Sequence, residues 1–69
     1  MQKLQTPLEQ AEQHKATGNK YFKGKKYDSA LRCYEEAIKV CPTDQTVALA
    51  TYHQNMAACY ELMVTTGTM

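Results

Sequence analysis

No stretch of about 20 apolar residues, the length that a membrane-spanning helix needs, occurs in this 69-residue sequence. The first residues, Met1–Pro7, contain no apolar run of the kind found in a secretory signal. We therefore expect a chain that neither inserts into a membrane nor enters the secretory route by itself. With 43% hydrophobic and 22% charged residues, the sequence predicts one small soluble unit, too short for two domains.

A surplus of either charge is also absent, because eight lysines and arginines stand against seven aspartates and glutamates. Lysines do cluster in the middle of the chain, where a helix is predicted to end: Lys20, Lys23, Lys25 and Lys26. Few aromatic side chains are offered outward among them, so they are typical of a solvated helix end rather than of a nucleic-acid interface. No nucleic-acid partner is expected.

Paired cysteines are missing as well. Cys33, Cys41 and Cys59 are odd in number and form no Cys-x-x-Cys motif, and their spacing to His14 and His53 fits no metal site. No third group is apparent that would orient a thiol nucleophile. We expect buried free thiols in a reducing compartment, no cofactor and no enzymatic activity.

What the sequence does contain is two apolar stripes at helical spacing with a break between them. The break, Gly24-Lys25-Lys26, offers a residue that tolerates a turn and two cations that suit the negative end of a helix. Because the connection is short, the two helices are predicted to be antiparallel. The first stripe is Ala11, Gly18, Tyr21 and Phe22, and the second is Tyr27, Ala30, Leu31, Tyr34, Ala37, Ile38 and Cys41.

A glycine inside the first helix needs a reason, since it costs roughly 1 kcal/mol relative to alanine. We predict that Gly18 makes room for the bulk of Tyr34 on the second helix. The limits of the helices follow from local signals: Thr6, Pro7 and Glu9 predict a capped start at Pro7. The second helix is predicted to begin near 28 or 29 and to end before residue 42, a proline, and the third to run from about 45 to 62.

The predicted organisation is therefore all-α: a disordered N-terminus over 1–6, a helical hairpin over 7–42, one further helix over 43–63 and a divergent tail over 64–69. Aligning Tyr21 with Tyr60 also aligns two small residues, Gly18 and Ala57, at a spacing near the ~34 residues of a tetratricopeptide repeat. The residues that match the order and spacing of that repeat are Gly18, Tyr21, Ala30, Tyr34, Ala37 and Pro42. The sequence thus resembles about one and a half tetratricopeptide repeats, with His14 and Thr17 departing from the common pattern.

The resemblance is more specific to the tetratricopeptide import receptors of the mitochondrial outer membrane, over roughly residues 6 to 62. It rests on the segments Gly18–Lys23, Lys26-Tyr27, Cys33-Tyr34, Glu36–Ile38, Cys41–Thr43 and Gln54-Asn55 with Ala57-Ala58. It implies a module that binds the acidic C-terminal tails of the 70 and 90 kDa heat-shock chaperones, and in full-length relatives mitochondrial preproteins. The implied clamp for the tail's carboxylate is Lys15, Asn19 and Asn55. The implied location is the cytoplasmic face of the mitochondrial outer membrane, or otherwise the cytosol.

Two departures weaken that clamp. Met56 stands where the family usually has an arginine, and the chain ends where the family continues into a third repeat with two further basic residues. We therefore expect a truncated, incomplete clamp that binds chaperone tails weakly, and exposed Tyr60, Leu62 and Met63 predict self-association or marginal folding. Two alternatives stay open: a cytosolic chaperone adaptor of another tetratricopeptide branch, and a truncated product without peptide-binding activity.

Overall fold

The structure, a computed structural model, describes residues 5–67, with the side chains of residues 5–65. Three α-helices follow one another in this part of the chain: α1 (Pro7–Lys23), α2 (Tyr27–Val40) and α3 (Thr46–Gly67). They confirm the predicted all-α fold of a helical hairpin and a third helix. Of the segment predicted to be disordered, residues 1–4 lie outside the described residues, as do residues 68 and 69 of the predicted tail.

The start of α1 is the capping box that the sequence predicts. The Thr6 hydroxyl accepts a hydrogen bond of 3.1 Å from the Glu9 N–H, and the Glu9 carboxylate accepts one of 2.9 Å from the Thr6 N–H. Pro7 occupies the first turn, where its missing N–H costs nothing. These contacts fix where α1 begins before any tertiary packing is considered.

The turn between α1 and α2 differs from the expected glycine turn in one respect. Gly24 has an ordinary φ of −81°, whereas Lys25 adopts the left-handed conformation with a φ of 64°. The turn is closed by a 2.9 Å hydrogen bond from the Lys26 N–H to the Tyr21 carbonyl. The conformation that favours glycine thus falls one residue after the glycine.

Helix α2 begins at Tyr27, slightly earlier than the predicted start at 28 or 29. The Tyr27 ring packs edge-on against Phe22 of α1, with 5.4 Å between the ring centroids. This tertiary contact draws Tyr27 into the first helical turn, which the cap signals alone do not reveal. The end of α2 is as predicted, since Cys41 has an extended backbone immediately before Pro42.

Two buried clusters connect the three helices. The first cluster contains Ala11 of α1, Ala37 of α2, Cys41 and Tyr52 of α3; the second contains Ala30 and Tyr34 of α2 and Cys59 of α3, with Phe22 of α1 packed against it. Along α1 and α3 the chain runs from the first cluster to the second, and along α2 it runs back. Helices α1 and α3 are therefore parallel to each other and antiparallel to α2.

The end of α3 corrects the prediction. The change to β-branched residues after Met63 was expected to end the helix near Leu62, but α3 continues to Gly67. Between Thr46 and Gly67 the sequence contains no proline and no other glycine. The Thr65 hydroxyl donates a 2.9 Å hydrogen bond to the Glu61 carbonyl, so its polar atom has an acceptor within the helix itself.

The apolar surface of α3 is only partly covered. Tyr52 and Cys59 are fully buried, whereas Val47, Tyr60 and Val64 are 81%, 50% and 65% exposed. Leu62 and Met63, expected to be exposed, are half-buried. Self-association through this helix therefore stays a prediction, with Tyr60 as its main exposed ring. None of the helices within residues 5–67 combines the length and apolarity needed to cross a bilayer.

Candidate binding site

Lys15 and Asn19 lie one turn apart on the same face of α1, as their spacing predicts. The Lys15 ammonium is already paired, because it lies 2.9 Å from Oε1 of Glu12 one turn earlier. The Lys15 side chain is 27% exposed and that of Glu12 45% exposed. The predicted cation of the clamp is thus accessible to a ligand and shared with an internal carboxylate.

Glu12 connects this face of α1 to α3. Its second oxygen, Oε2, accepts a hydrogen bond of 2.5 Å from the Tyr52 hydroxyl, across 40 residues of sequence. The Tyr52 hydrogen bond and then the Lys15 ammonium lower the pKa of Glu12 below its ordinary value, because both favour the ionised carboxylate. Burial, followed by the same hydrogen bond, raises the pKa of Tyr52, which stays protonated as the donor.

Asn19 is oriented by the core. Its Oδ1 accepts a 2.6 Å hydrogen bond from the hydroxyl of Tyr34, whose side chain is 1% exposed. Burial is the main cause that raises the pKa of Tyr34. With its oxygen turned toward Tyr34, Asn19 keeps both Nδ2 hydrogens as donors for a ligand. Asn19 itself is exposed at the surface.

Asn55 lies on α3, one turn after Tyr52. Because α1 and α3 are parallel, the step from Tyr52 to Asn55 runs alongside the step from Glu12 to Lys15. Asn55 is half-buried, and within the described part of the chain its side chain makes no hydrogen bond or ion pair. The structure thus puts Lys15 and Asn19 on one face of α1 and Asn55 on α3, which packs mainly on α2, and it shows no direct bond between Asn55 and the other two.

Two residues of this region were not singled out by the sequence. They are Glu12 of α1 and Tyr52 of α3. The spacing of three residues between Glu12 and Lys15 was a usable signal for their ion pair. Nothing local links Glu12 to Tyr52, because that contact depends on how α3 packs beside α1.

Outside the predicted clamp, the structure contains a surface groove and three cysteine thiols. A shallow groove of about 490 Å³ lies beside the turn between α1 and α2, lined by residues 25–29 and Met63 and by none of the predicted clamp residues. The three cysteines are free thiols; Cys41 and Cys59 are buried and Cys33 is half-buried, and burial raises the pKa of each. Among residues 5–67, no three His, Cys, Asp or Glu side chains are placed to hold a metal ion.

Comparison with known proteins identifies the family to which this fold belongs. The model of the tetratricopeptide repeat matches residues 11–44, which include most of α1 and all of α2. The chain is 52% identical over 54 residues to the mitochondrial import receptor subunit TOM70 of Homo sapiens, an alignment that covers 78% of this chain. It is 45% identical over 51 residues to the Hsp70-Hsp90 organising protein of Plasmodium falciparum, covering 74% of this chain.

A third relative is the DnaJ homolog subfamily C member 7 homolog of Schizosaccharomyces pombe, 46% identical over 56 residues, or 81% of this chain. The alignments cover small parts of these relatives: 9% of the human receptor subunit, 8% of the organising protein and 11% of the DnaJ homolog. No solved structure is significantly similar to the chain.

Proposed function

Because this chain carries a tetratricopeptide repeat and resembles a mitochondrial import receptor subunit, we propose that it is a peptide-binding module for the C-terminal carboxylate of partner proteins. In this proposal Lys15 supplies the cation and the amides of Asn19 and Asn55 supply hydrogen-bond donors. The partners are the acidic C-terminal tails of 70 and 90 kDa heat-shock chaperones. The role is binding rather than catalysis.

The observation that carries the proposal is the orientation of Asn19. The buried Tyr34 hydroxyl donates to its amide oxygen, which fixes that oxygen toward α2 and leaves both Nδ2 hydrogens as donors for whatever lies over α1. A carboxylate accepts hydrogen bonds and offers none, which makes it complementary to those donors and to the Lys15 ammonium one turn away. A peptide that ends in a neutral amide keeps an acceptor oxygen but lacks the negative charge that complements the Lys15 ammonium.

The expected affinity is low. A hydrogen bond to a charged group contributes about 1.5–3 kcal/mol, so each basic donor changes a dissociation constant by roughly tenfold to a hundredfold. Of the three predicted clamp residues, Lys15 is the one charged donor, and it is shared with Glu12. We expect weak binding of an isolated tail by this chain.

The relatives support two locations for such a module. Likeness to TOM70, a mitochondrial import receptor subunit, supports a role at the mitochondrial outer membrane, facing the cytosol, with preproteins as further partners in a full-length receptor. Likeness to an Hsp70-Hsp90 organising protein and to a DnaJ homolog supports the alternative of a cytosolic chaperone adaptor. The same carboxylate site serves both.

The test is a titration of the 69-residue chain with a labelled acidic pentapeptide, once with a free C-terminus and once amidated. We expect tighter binding of the free acid, and loss of that preference in Lys15→Ala. Lys39→Ala is the matched control, because Lys39 also pairs with a glutamate one turn away, at 3.3 Å, but on α2. Equal binding of the acid and the amide by the unmodified chain would refute the proposal.

The competing hypothesis is a chain without peptide-binding activity that associates through α3. The exposure of Tyr60 and Val64 favours it. Sedimentation and thermal circular dichroism distinguish the two, because a monomeric helical protein that melts cooperatively is incompatible with obligatory association.

A further inference from the structure

Glu12 is held in the proposed carboxylate site by two other residues. One carboxylate oxygen is 2.9 Å from the Lys15 ammonium, and the other accepts the 2.5 Å hydrogen bond from the Tyr52 hydroxyl. Both oxygens are therefore engaged on the side of α1 where a ligand is expected. A negative charge lies beside the cation that is to receive the ligand's own negative charge.

The Tyr52 hydroxyl makes this arrangement more than a surface ion pair. Tyr52 is fully buried in the first cluster with Ala11 and Ala37, so its ring has a fixed position. An exposed glutamate paired only with a lysine three residues away gains little from the pair and is free to swing into solvent. Here the hydrogen bond from a fixed donor holds Glu12 beside Lys15.

Glu12 nevertheless remains open to a ligand, since 45% of its side chain is exposed. An incoming terminal carboxylate has to share Lys15 with it. An acidic side chain next to that terminus would meet a like charge, whereas a neutral or basic side chain would not. Among the residues assigned to the site, Lys15 contributes one positive and Glu12 one negative charge, beside the amides of Asn19 and Asn55.

We propose that Glu12 is the residue that determines specificity in this site: it competes with the ligand for Lys15 and favours peptides with a neutral or basic side chain beside the terminal carboxylate over acidic ones. This inference rests on the proposed carboxylate-binding function. It assigns the weak binding of acidic tails to an internal competitor as well as to the small number of basic residues.

The chain contains a matched control for this inference. Glu36 pairs with Lys39 one turn later on α2, at 3.3 Å, with side chains 51% and 73% exposed. In the described part of the chain no tyrosine hydroxyl bonds to Glu36, and neither residue belongs to the proposed site, whose members lie on α1 and α3. Glu36→Gln therefore makes the same chemical change and the same change in net charge as Glu12→Gln, away from the site.

The experiment measures dissociation constants for three labelled pentapeptides with a free C-terminal carboxylate. They differ only in the C-terminal residue, which is aspartate, asparagine or lysine. An amidated asparagine peptide is the fourth. For Glu12→Gln we expect about fivefold tighter binding of the aspartate peptide and little change for the lysine peptide, a factor within reach of one partly exposed charge. Glu36→Gln should change none of the four.

Tyr52→Phe is the second variant, because it keeps the charge of Glu12 and removes only the hydrogen bond that holds it. We expect a smaller gain for the aspartate peptide, in the same direction. Circular dichroism of each variant checks that the helices are retained.

The inference is overturned if the unmodified chain prefers free acids to the amide but Glu12→Gln tightens all three acids equally, or none of them. It is also overturned if Glu36→Gln produces the same pattern. If neither the unmodified chain nor Glu12→Gln distinguishes acid from amide, the proposed function is wrong and the inference falls with it.

Discussion

The ring of Tyr34 lies directly over the backbone of Gly18. A Cβ atom built on Gly18 would lie 2.6 Å from Cε1 and 2.9 Å from Cδ1 of Tyr34, and 3.1 Å from Cβ of Cys33. Tyr34 has little freedom to move aside, because it is buried and its hydroxyl is bonded to Asn19. The predicted reason for a glycine inside α1 is confirmed at atomic distances.

Gly18→Ala should therefore destabilise the chain, although alanine is the better helix former by roughly 1 kcal/mol. Overpacking of a tight core costs about 1–3 kcal/mol, so the clash outweighs the gain in helix propensity. We expect a net loss of about 1 kcal/mol in the free energy of unfolding, measured by urea denaturation. Gly24→Ala is the control, since its Cβ would meet only the Tyr21 and Lys20 carbonyl oxygens, at 3.5 and 3.7 Å. A Gly18→Ala variant as stable as the parent would contradict the packing.

The hydrogen bonds donated by Tyr34 and Tyr52 should contribute differently to the free energy of unfolding. Tyr34→Phe removes a hydrogen bond to a neutral amide, worth about 1 kcal/mol, whereas Tyr52→Phe removes one to an ionised carboxylate, worth about 1.5 kcal/mol because Glu12 is partly solvated. Urea denaturation of both variants tests the order. A double-mutant cycle of Tyr52→Phe with Glu12→Gln should show coupling, and additive losses would argue against the contact.

Lowering the pH should reduce the free energy of unfolding of the chain through protonation of Glu12. Its pKa is lowered in the folded state from an ordinary 4.5, by the Tyr52 hydrogen bond first and Lys15 second. Its contribution to stability is therefore present above pH 4.5 and is lost as the pH falls through the lower folded value. An NMR titration of the Glu12 carboxyl should show the lowered pKa, moving back toward 4.5 in Tyr52→Phe. An unchanged titration in that variant would show that the hydroxyl does not hold the carboxylate.

The three cysteines should react in a definite order with a thiol reagent at neutral pH. Cys33 is half-buried, whereas Cys41 and Cys59 are buried, and burial raises the pKa of all three thiols. We expect Cys33 to be modified first, as followed by mass spectrometry of labelled peptides, and comparable rates for all three in urea. Early labelling of Cys59 would indicate that the second cluster opens before the hairpin does.

The features that the sequence predicted well are those with local causes. Thr6, Pro7 and Glu9 define the start of α1 without help from the rest of the chain, and Pro42 ends α2 by steric conflict with the preceding residue. The contact between Gly18 and Tyr34 was predictable because an unexplained glycine within a helix calls for a large neighbour.

The features that were missed depend on tertiary structure. The bond from Tyr52 to Glu12 joins residues 40 positions apart and exists only because α1 and α3 lie parallel on α2. The extension of α3 to Gly67 was missed because β-branched residues are only weakly unfavourable in helices. Of the predicted clamp, the shared face of Lys15 and Asn19 followed from spacing, but the pairing of Lys15 with Glu12 was not foreseen.

The left-handed conformation of Lys25 has a consequence for how the hairpin is held closed. A residue with a side chain in that conformation costs about 1–2 kcal/mol, and the glycine one position earlier does not relieve it. The turn is therefore not a preformed hinge that brings α1 and α2 together. The cost at Lys25 is offset by the hydrogen bond from Lys26 to Tyr21 and by the packing of the two helices. We therefore expect loosening of Tyr34 from Gly18 to favour opening of the turn as well.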